Sequence, residues 1–516
     1  MSRFTHEKPK LTEGGERIYK GQEERMDLVE ERRELLPYSA SPISVLPNEI
    51  LSTLFHELQR ATRATGKPMV PPAEIILSHV CSHWRAVVLS LPSMWCIFHR
   101  DGRLIFNDRA LKLDKQTEAR LAAYLDRSRE HPFDFWVKLE PTRQHFRHHD
   151  QQLTTSLLSV ILPHLHRFRV FHLLFRVQQL PEEFRKMLAM ASVPLLEICA
   201  ICPDLIQSGM RYSTGSEFDI FQGGAPSLKY LRLDETSLFA IRPPLQTVVD
   251  LRIEWRRQEA PDCIPNGVLA EIFALPNLQT LSLFGDIFTF QVAGGGAIPN
   301  RPIHAQNLKH IRSTGTYITV FLYSHVLAPS LESITLSGLE EDEISASSLA
   351  RILAHAVFPS LRVVAITAAW IGFPNDLRAL QIILSQNVEE LIFWQGTAHT
   401  RPKEVVRTLV GANGMPSSQQ NIKKGTLSMH FSDSEEIGYY HQFIQARPNL
   451  EVLRVPPACL QPLTDLMGRL PTSIKIQAID DSEPPLPLCW LPGPEWLDTE
   501  EDPFLAGCRV CRFWTL

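Results

Sequence analysis

A short apolar phrase, Pro-x-Leu-x-x-Leu-x-Leu, recurs along most of this chain and limits what it can fold into more than any other feature. It runs from Pro163 through Leu165 to Phe168 and Val170, from Pro194 through Leu196 to Cys199 and Ile201, and from Pro226 through Leu228 to Leu231 and Leu233. It returns at Val248, Leu251 and Ile253, at Leu278, Leu281 and Leu283, and less completely at Leu308 and Ile311. Further copies lie at Leu331, Ile334 and Leu336, at Leu361, Val364 and Ile366, at Val388, Leu391 and Phe393, and at Leu450, Leu453 and Val455. Copies begin about 20 to 32 residues apart, except for one double gap after Val388 that holds a weak copy at Leu427, Met429 and Phe431. Period-two alternation inside each copy is the signature of a half-buried strand. One such strand cannot cover its own apolar face, so successive units must stack.

The spacing is close to that of leucine-rich repeats. Helical stretches fill the intervals: Asn266 can cap a helix through Leu269 and Phe273 to Pro276, and 347–358, 376–385, 403–409 and 434–446 behave likewise. The expected fold class is α/β, with the strands of residues 161–478 lining a curved parallel sheet. The asparagine that ends regular leucine-rich repeats is missing, which predicts an irregular solenoid; a compact α/β domain with parallel strands is the alternative. Side chains between the leucines should point away from the core. Tyr230, Arg232, Arg312 and Arg454 therefore become candidate target-binding residues, with Thr280, Ser282, His310, Ser333, Thr335, Glu390 and Ile392 beside them. Phe284 and Trp394 share that parity and offer the aromatic anchors that protein interfaces favour.

Composition narrows the partner. The chain has 516 residues, 44% of them hydrophobic, so it can build a large core. A net charge of −5 gives no electrostatic footprint for nucleic acid or an anionic membrane, which leaves protein as the expected ligand. Nine scattered cysteines, no Asn-x-Ser/Thr sequon and no apolar N-terminal signal region point to a reducing interior, cytoplasm or nucleus. The most apolar long stretch, Leu349 to Phe373, is broken by Arg351, His355, Pro359 and Arg362, so no membrane span is expected.

Signals for chemistry are weak. Cys199/Cys202 and Cys508/Cys511 have zinc-knuckle spacing but lie far apart in the chain, and Cys199 falls on an inward repeat position. His145 and His149, beside Asp150, sit in a polar loop; Gly294 to Gly296 lack the Lys-Ser/Thr of a phosphate loop; Glu340, Glu341 and Asp342 read as a solvated run. No Gly-x-Ser-x-Gly elbow occurs. No cofactor, no metal and no catalytic activity are expected.

Upstream of the repeats the pattern changes. Residues 1–42 contain a charged run, Glu16 to Leu36, that reads as a solvated helix or as disorder, followed by a linker. Pro47 then suits a helix start, Glu49 complements the positive helix end, and Ile50, Leu51, Leu54, Phe55 and Leu58 follow at helical spacing. A second amphipathic run carries Ile76, Leu77, Val80, Trp84, Val87 and Val88. Helices this short cannot bury that apolar load among themselves. Either they are ordinary core helices of a larger domain or they dock on something else.

Three phrases in order decide between these. Leu46-Pro47-Asn48-Glu49-Ile50-Leu51, Val80-Cys81-Ser82-His83-Trp84-Arg85 and Leu91-Pro92-Ser93-Met94-Trp95 together resemble an F-box, as found in F-box-like proteins of mushroom-forming fungi. The likeness continues for roughly another seventy residues, through the helix of Leu113 to Arg129, the junction at Leu125-Asp126-Arg127-Ser128 and Pro132-Phe133, and a strand carrying Phe133, Phe135, Val137 and Leu139. The chain departs from that pattern in its long interval from Arg60 to Ala73 and in having Ser82 and His83 where basic residues are common. The resemblance implies an F-box over 43–98, a helix-strand connection over 99–160, the repeats over 161–478 and a Pro-rich, acidic tail over 479–516. It also implies a function: docking on a Skp-type adaptor, and through it a cullin and RING subunit, while the repeats hold a target protein for ubiquitination. Leu46, Pro47, Ile50, Leu51, Val80, Cys81 and Trp84 would meet or support that adaptor, and Trp95 would close the cluster. A repeat scaffold without ligase association is the alternative.

Overall fold

In the computed structural model the described residues are 46–64, 72–101, 110–138, 156–174, 182–202, 219–234, 242–254, 266–284, 302–314, 316–337, 358–367, 387–394, 421–428, 437–467 and 474–479. The N-terminal charged run, the His145/His149 loop, Gly294 to Gly296, Glu340 to Asp342, the helices expected over 376–385 and 403–409, nearly all of that over 347–358, and the tail with Cys508 and Cys511 lie outside them. The chain divides into two compact units, residues 1–59 with 71–90, and residues 60–70 with 91–516.

Among the described residues the first unit holds three helices: α1 (Asn48–Ala64), α2 (Ala73–Ser78) and α3 (Ser82–Ser90). The Pro47 carbonyl accepts the amides of Ile50 and Leu51, which starts α1. Leu51, Phe55 and Gln59 recur every fourth residue and are buried. Phe55 meets Trp84 of α3 at a ring separation of 5.0 Å, and Gln59 donates to the buried Glu74 of α2 at 2.9 Å. The amphipathic run expected as one helix is two, with a turn at His79 and Val80. Cys81 takes the capping role that Ser or Asp usually fills, its Sγ accepting the Trp84 amide at 3.4 Å.

The second unit is a mixed α/β structure on an open sheet of fourteen strands, all parallel. The strands are β1 (Ile97–Asp101), β2 (Phe133–Lys138), β3 (Phe168–Leu174), β4 (Ile198–Cys202), β5 (Tyr230–Asp234), β6 (Asp250–Glu254), β7 (Thr280–Phe284), β9 (His310–Thr314), β11 (Ser333–Ser337), β12 (Val363–Thr367), β13 (Glu390–Trp394), β14 (Lys424–Ser428), β15 (Val452–Val455) and β16 (Lys475–Ala478). The short strands β8 (Ile303–His304) and β10 (Val326–Leu327) pair separately. Spatial order follows chain order without exception, as stacking of consecutive units requires.

Register is set by one row of inward side chains: Phe98, Phe135, Phe171, Cys199, Leu231, Leu251, Leu281, Ile311, Ile334, Val364, Leu391, Gly425, Leu453 and Ile476. At the N-terminal end this row is a phenylalanine stack, with Phe98 on Phe135 at 6.1 Å and Phe135 on Phe171 at 5.7 Å, the rings of each pair nearly parallel. Gly425 marks the weak copy, whose frame is Ile422, Gly425 and Leu427 and not Leu427, Met429 and Phe431. Phe443 fills the missing leucine's place: a Cβ on Gly425 would stand 3.3 Å from its ring and 3.2 Å from Leu453.

Helices α4 (Ala110–Ser128), α5 (Glu182–Met190), α6 (Asn266–Phe273), α7 (Thr316–His325), α8 (Ile437–Gln445) and α9 (Pro457–Met467) supply the rest of the core. Phe273 of α6 stacks on Phe321 of α7 at 6.0 Å. Arg129 ends α4 with a φ of 50°, the left-handed conformation that glycine usually supplies at this place. The buried Arg167 compensates, its guanidinium donating to the Leu125 carbonyl at 2.7 Å and to Ser128 Oγ at 2.9 Å. The sheet therefore begins at Ile97, well before residue 161, and ends on β16; neither edge strand carries the repeat phrase.

Two ladders at the strand entries stand in for the absent asparagine. In four units the residue after the proline, or its equivalent, donates its side chain to the preceding unit: Ser227 to the Pro194 carbonyl at 2.7 Å, Asn277 to Gln246 at 2.7 Å, Asn307 to Pro276 at 2.6 Å and Ser360 to Pro329 at 2.7 Å. Two residues later, backbone amides bond from unit to unit through Arg169, Glu197, Lys229, Val249, Gln279, Lys309, Glu332, Arg362, Glu389, Lys423 and Glu451. From Lys309 onward the charges of this line alternate in sign, and Lys423 Nζ meets Glu389 Oε1 at 3.1 Å.

Candidate functional site

Two surfaces have the chemistry of interaction sites, one on each unit. Six of the ten large apolar side chains that are exposed among the described residues belong to the first unit: Ile50, Leu54, Leu58, Ile76, Val80 and Leu89. Ile50, Leu54 and Leu58 form a second stripe on α1, offset by one residue from the buried Leu51–Phe55–Gln59 stripe. Helix geometry separates these stripes by about 100°, so α1 is apolar on an inner face and on an outer one. Of the expected adaptor-binding residues, Pro47, Ile50, Val80 and Cys81 are exposed, with Ile50 49% and Val80 54% accessible, and Leu46 and Trp84 are half-buried.

Leu51 and Trp95 are both fully buried, so of the roles expected of them, meeting or supporting a partner, their positions fit support alone. Leu51 belongs to the inner stripe of α1. Trp95 belongs to the second unit, where its ring meets Tyr124 edge-on at 5.1 Å and carries the Arg127 guanidinium at 4.3 Å. Leu54, Leu58, Ile76 and Leu89 are additional exposed residues. The signal for the first two was the width of the apolar pattern on α1, which is more than a single buried face can use.

The second surface is the sheet face opposite the leucines. Its central row is His99, Trp136, His172, Ala200, Arg232, Arg252, Ser282, Arg312, Thr335, Ala365, Ile392, Thr426, Arg454 and Gln477. Most of this row is buried. Arg232 is 2% and Arg312 5% accessible, and Ser282, Thr335 and Ile392 are covered as well, which corrects the expectation that they line an open face. Strand alternation fixes the direction of a side chain and not its exposure. Neighbouring strands lie about 4.8 Å apart, so each row covers its own members, and Arg232 reaches across to a carboxylate on the adjacent strand.

Arg232 Nε lies 2.8 Å from Glu254 Oε1 and its guanidinium donates to Oε2 at 2.9 Å, while Arg252 pairs with the same carboxylate from its own strand. Asp250 stands beside them; burial pushes its carboxyl up to about 7 against the opposing pull of Arg312 and Arg252. His310 shares a 2.8 Å hydrogen bond with Ser333 Oγ, and burial holds its imidazole below the ordinary value. Apolar zones flank this charged centre: Leu174, Ala200 and Cys202 with Ile198 and Tyr230 on one side, Ala365 and Ile392 with Val363 on the other. Tyr230, Phe284 and Trp394 are half-buried, and Arg454 is exposed. Among the described residues no group of three His, Cys, Asp or Glu side chains has metal-binding geometry, and no helix is long and apolar enough to cross a membrane. Cys199 and Cys202 are both buried, and burial pushes the Cys199 thiol up, away from its reactive form.

Compared with known protein families and with curated proteins, the chain matches none.

Proposed function

We propose that the chain is a substrate-recognition adaptor of a cullin-RING ubiquitin ligase, with its first unit acting as an F-box and its second as an irregular leucine-rich-repeat-like solenoid that holds the target. The observation that carries this reading is the exposed aliphatic stripe of Ile50, Leu54 and Leu58 with Val80, on the same small unit that bears the Leu-Pro-x-Glu-Ile and Val-Cys-x-x-Trp-Arg phrases. Burying one such side chain against a partner is worth roughly 1.5–3 kcal/mol. A unit of three short helices that leaves six of them in water gains stability by docking.

In this reading the chain brings no chemistry of its own. The conjugating enzyme carries the ubiquitin thioester, and the adaptor raises the effective concentration of the target beside it. The partners are a Skp-type adaptor with its cullin and RING subunit on one side and a target protein on the other, in cytoplasm or nucleus, with neither nucleic acid nor membrane involved.

Copurification of the full-length protein with mass spectrometry tests the division of labour. Ile50→Asp combined with Val80→Asp should remove adaptor and cullin while leaving captured targets in place. Interface hot spots typically cost at least about 2 kcal/mol, a loss of roughly thirtyfold in affinity. If the double variant melts like the parent yet keeps its adaptor at the parent's level, the reading is wrong. Deleting residues 43–98 is unsuitable, because it also removes Trp95 and Phe98 from the core of the second unit.

A further inference from the structure

We propose that the C-terminal end of the sheet's second face, around Lys424, Arg454 and Lys475, binds an extended carboxylate-rich segment of a partner protein; this rests on the reading of the second unit as the part that holds targets. Three observations converge there. The same face that buries Arg232, Arg252 and Arg312 farther up the sheet leaves these three cations in water. Among the described residues none of the three forms an ion pair, whereas Arg232 and Arg252 close on Glu254. The neighbouring Lys423, at the strand entry, is already engaged with Glu389. Among the described residues the opposing charges are the half-buried Glu390, registered beside Lys424 on the face itself, and Glu389 at the strand entry, whose carboxyl Lys423 and Lys424 both hold down; Arg454 and Lys475 lie on the strands beyond.

The register gives the spacing. Lys424, Val452 and Lys475 share one row across β14, β15 and β16, which separates the lysines by about two strand spacings, near 10 Å. Arg454 lies two residues farther along β15, about 6.6 Å from that row. Charges spread over this distance match carboxylates at alternate or third positions of an extended peptide. A single phosphate is too small to touch all three at once, and two of the three cations are lysines, point charges without the bidentate fork that phosphate recognition favours.

Fluorescence anisotropy on the full-length protein tests this with labelled octaglutamate, octaglutamine, a phosphoserine peptide with no Asp or Glu, and a single-stranded oligonucleotide. Octaglutamate should bind best and weaken with added salt. The triple variant Lys424→Glu, Arg454→Glu and Lys475→Glu should lose about tenfold or more in affinity while melting as the parent does. The Ile50→Asp, Val80→Asp variant should bind octaglutamate unchanged, so loss of the ligase reading and loss of this site are told apart. Absence of octaglutamate binding, equal binding of octaglutamine, preference for the phosphopeptide or the oligonucleotide, or an unaffected triple variant would each overturn the proposal.

Discussion

At the scale of single residues, Asp250 shows most directly how the fold bends chemistry. Its carboxyl, ordinarily at 3.8, is raised to about 7 by burial between Arg252 and Arg312. Between those two values the folded protein keeps a proton that the unfolded chain has released. Stability from this group is therefore full at acidic pH and is lost as pH rises toward 7. Asp250→Asn should remove the loss: the variant should match the parent in urea unfolding near pH 4 and exceed it near pH 8 by on the order of 4 kcal/mol. A difference independent of pH would mean that the side chain acts by packing alone. None of this was legible in the sequence, where Asp250 is one charged residue before a leucine; its perturbation comes from burial under the neighbouring strands, which outweighs the opposing pull of Arg312 and Arg252. Leu51 and Trp95 tell the same story, because the motif names the residues and only packing decides which of them a partner can reach.

At the scale of elements, the repeat phrase was an accurate guide. Every full copy became a strand, because a Leu-x-x-Leu-x-Leu spacing has one productive register against its neighbour and a slip of one residue would turn the leucines outward. The edge strands β1 and β16 were missed for the same reason: each is covered on one side only, and neither needs the phrase. The weak copy was framed five residues late, since Gly425 gives no apolar signal and Phe443, far along the chain, fills its place. The serine and asparagine ladder was visible as a recurring Pro-Ser-Leu or Asn-Leu but has no periodic hydrophobic signature. Exposed side-chain to backbone hydrogen bonds contribute about 0.5–1.5 kcal/mol each. Asn277→Ala with Asn307→Ala should thus lower unfolding free energy by roughly 1–3 kcal/mol in urea denaturation. An unchanged unfolding free energy would remove the ladder's claim to hold units together.

At the scale of the whole molecule, the two units differ in how tolerant their named tryptophan and isoleucine are to change. Trp95→Ala empties a fully buried site between Tyr124 and Arg127 and should cost about 3–5 kcal/mol, while Ile50→Asp, on an exposed face, should change stability by less than about 0.5 kcal/mol. Thermal denaturation of both variants checks this, and a large loss in Ile50→Asp would mean that its stripe is packed and not offered. The alternating charges at the strand entries carry a consequence for how such an array can change in length. Excising the single unit that contains β12 would set Glu332 against Glu389, and excising the next alone would set Arg362 against Lys423, like charges directly opposite in either case. Excising both restores an unlike pair, Glu332 with Lys423. In this half of the protein, unequal crossing-over is tolerated best by twos, so related chains should differ from one another by an even number of repeats.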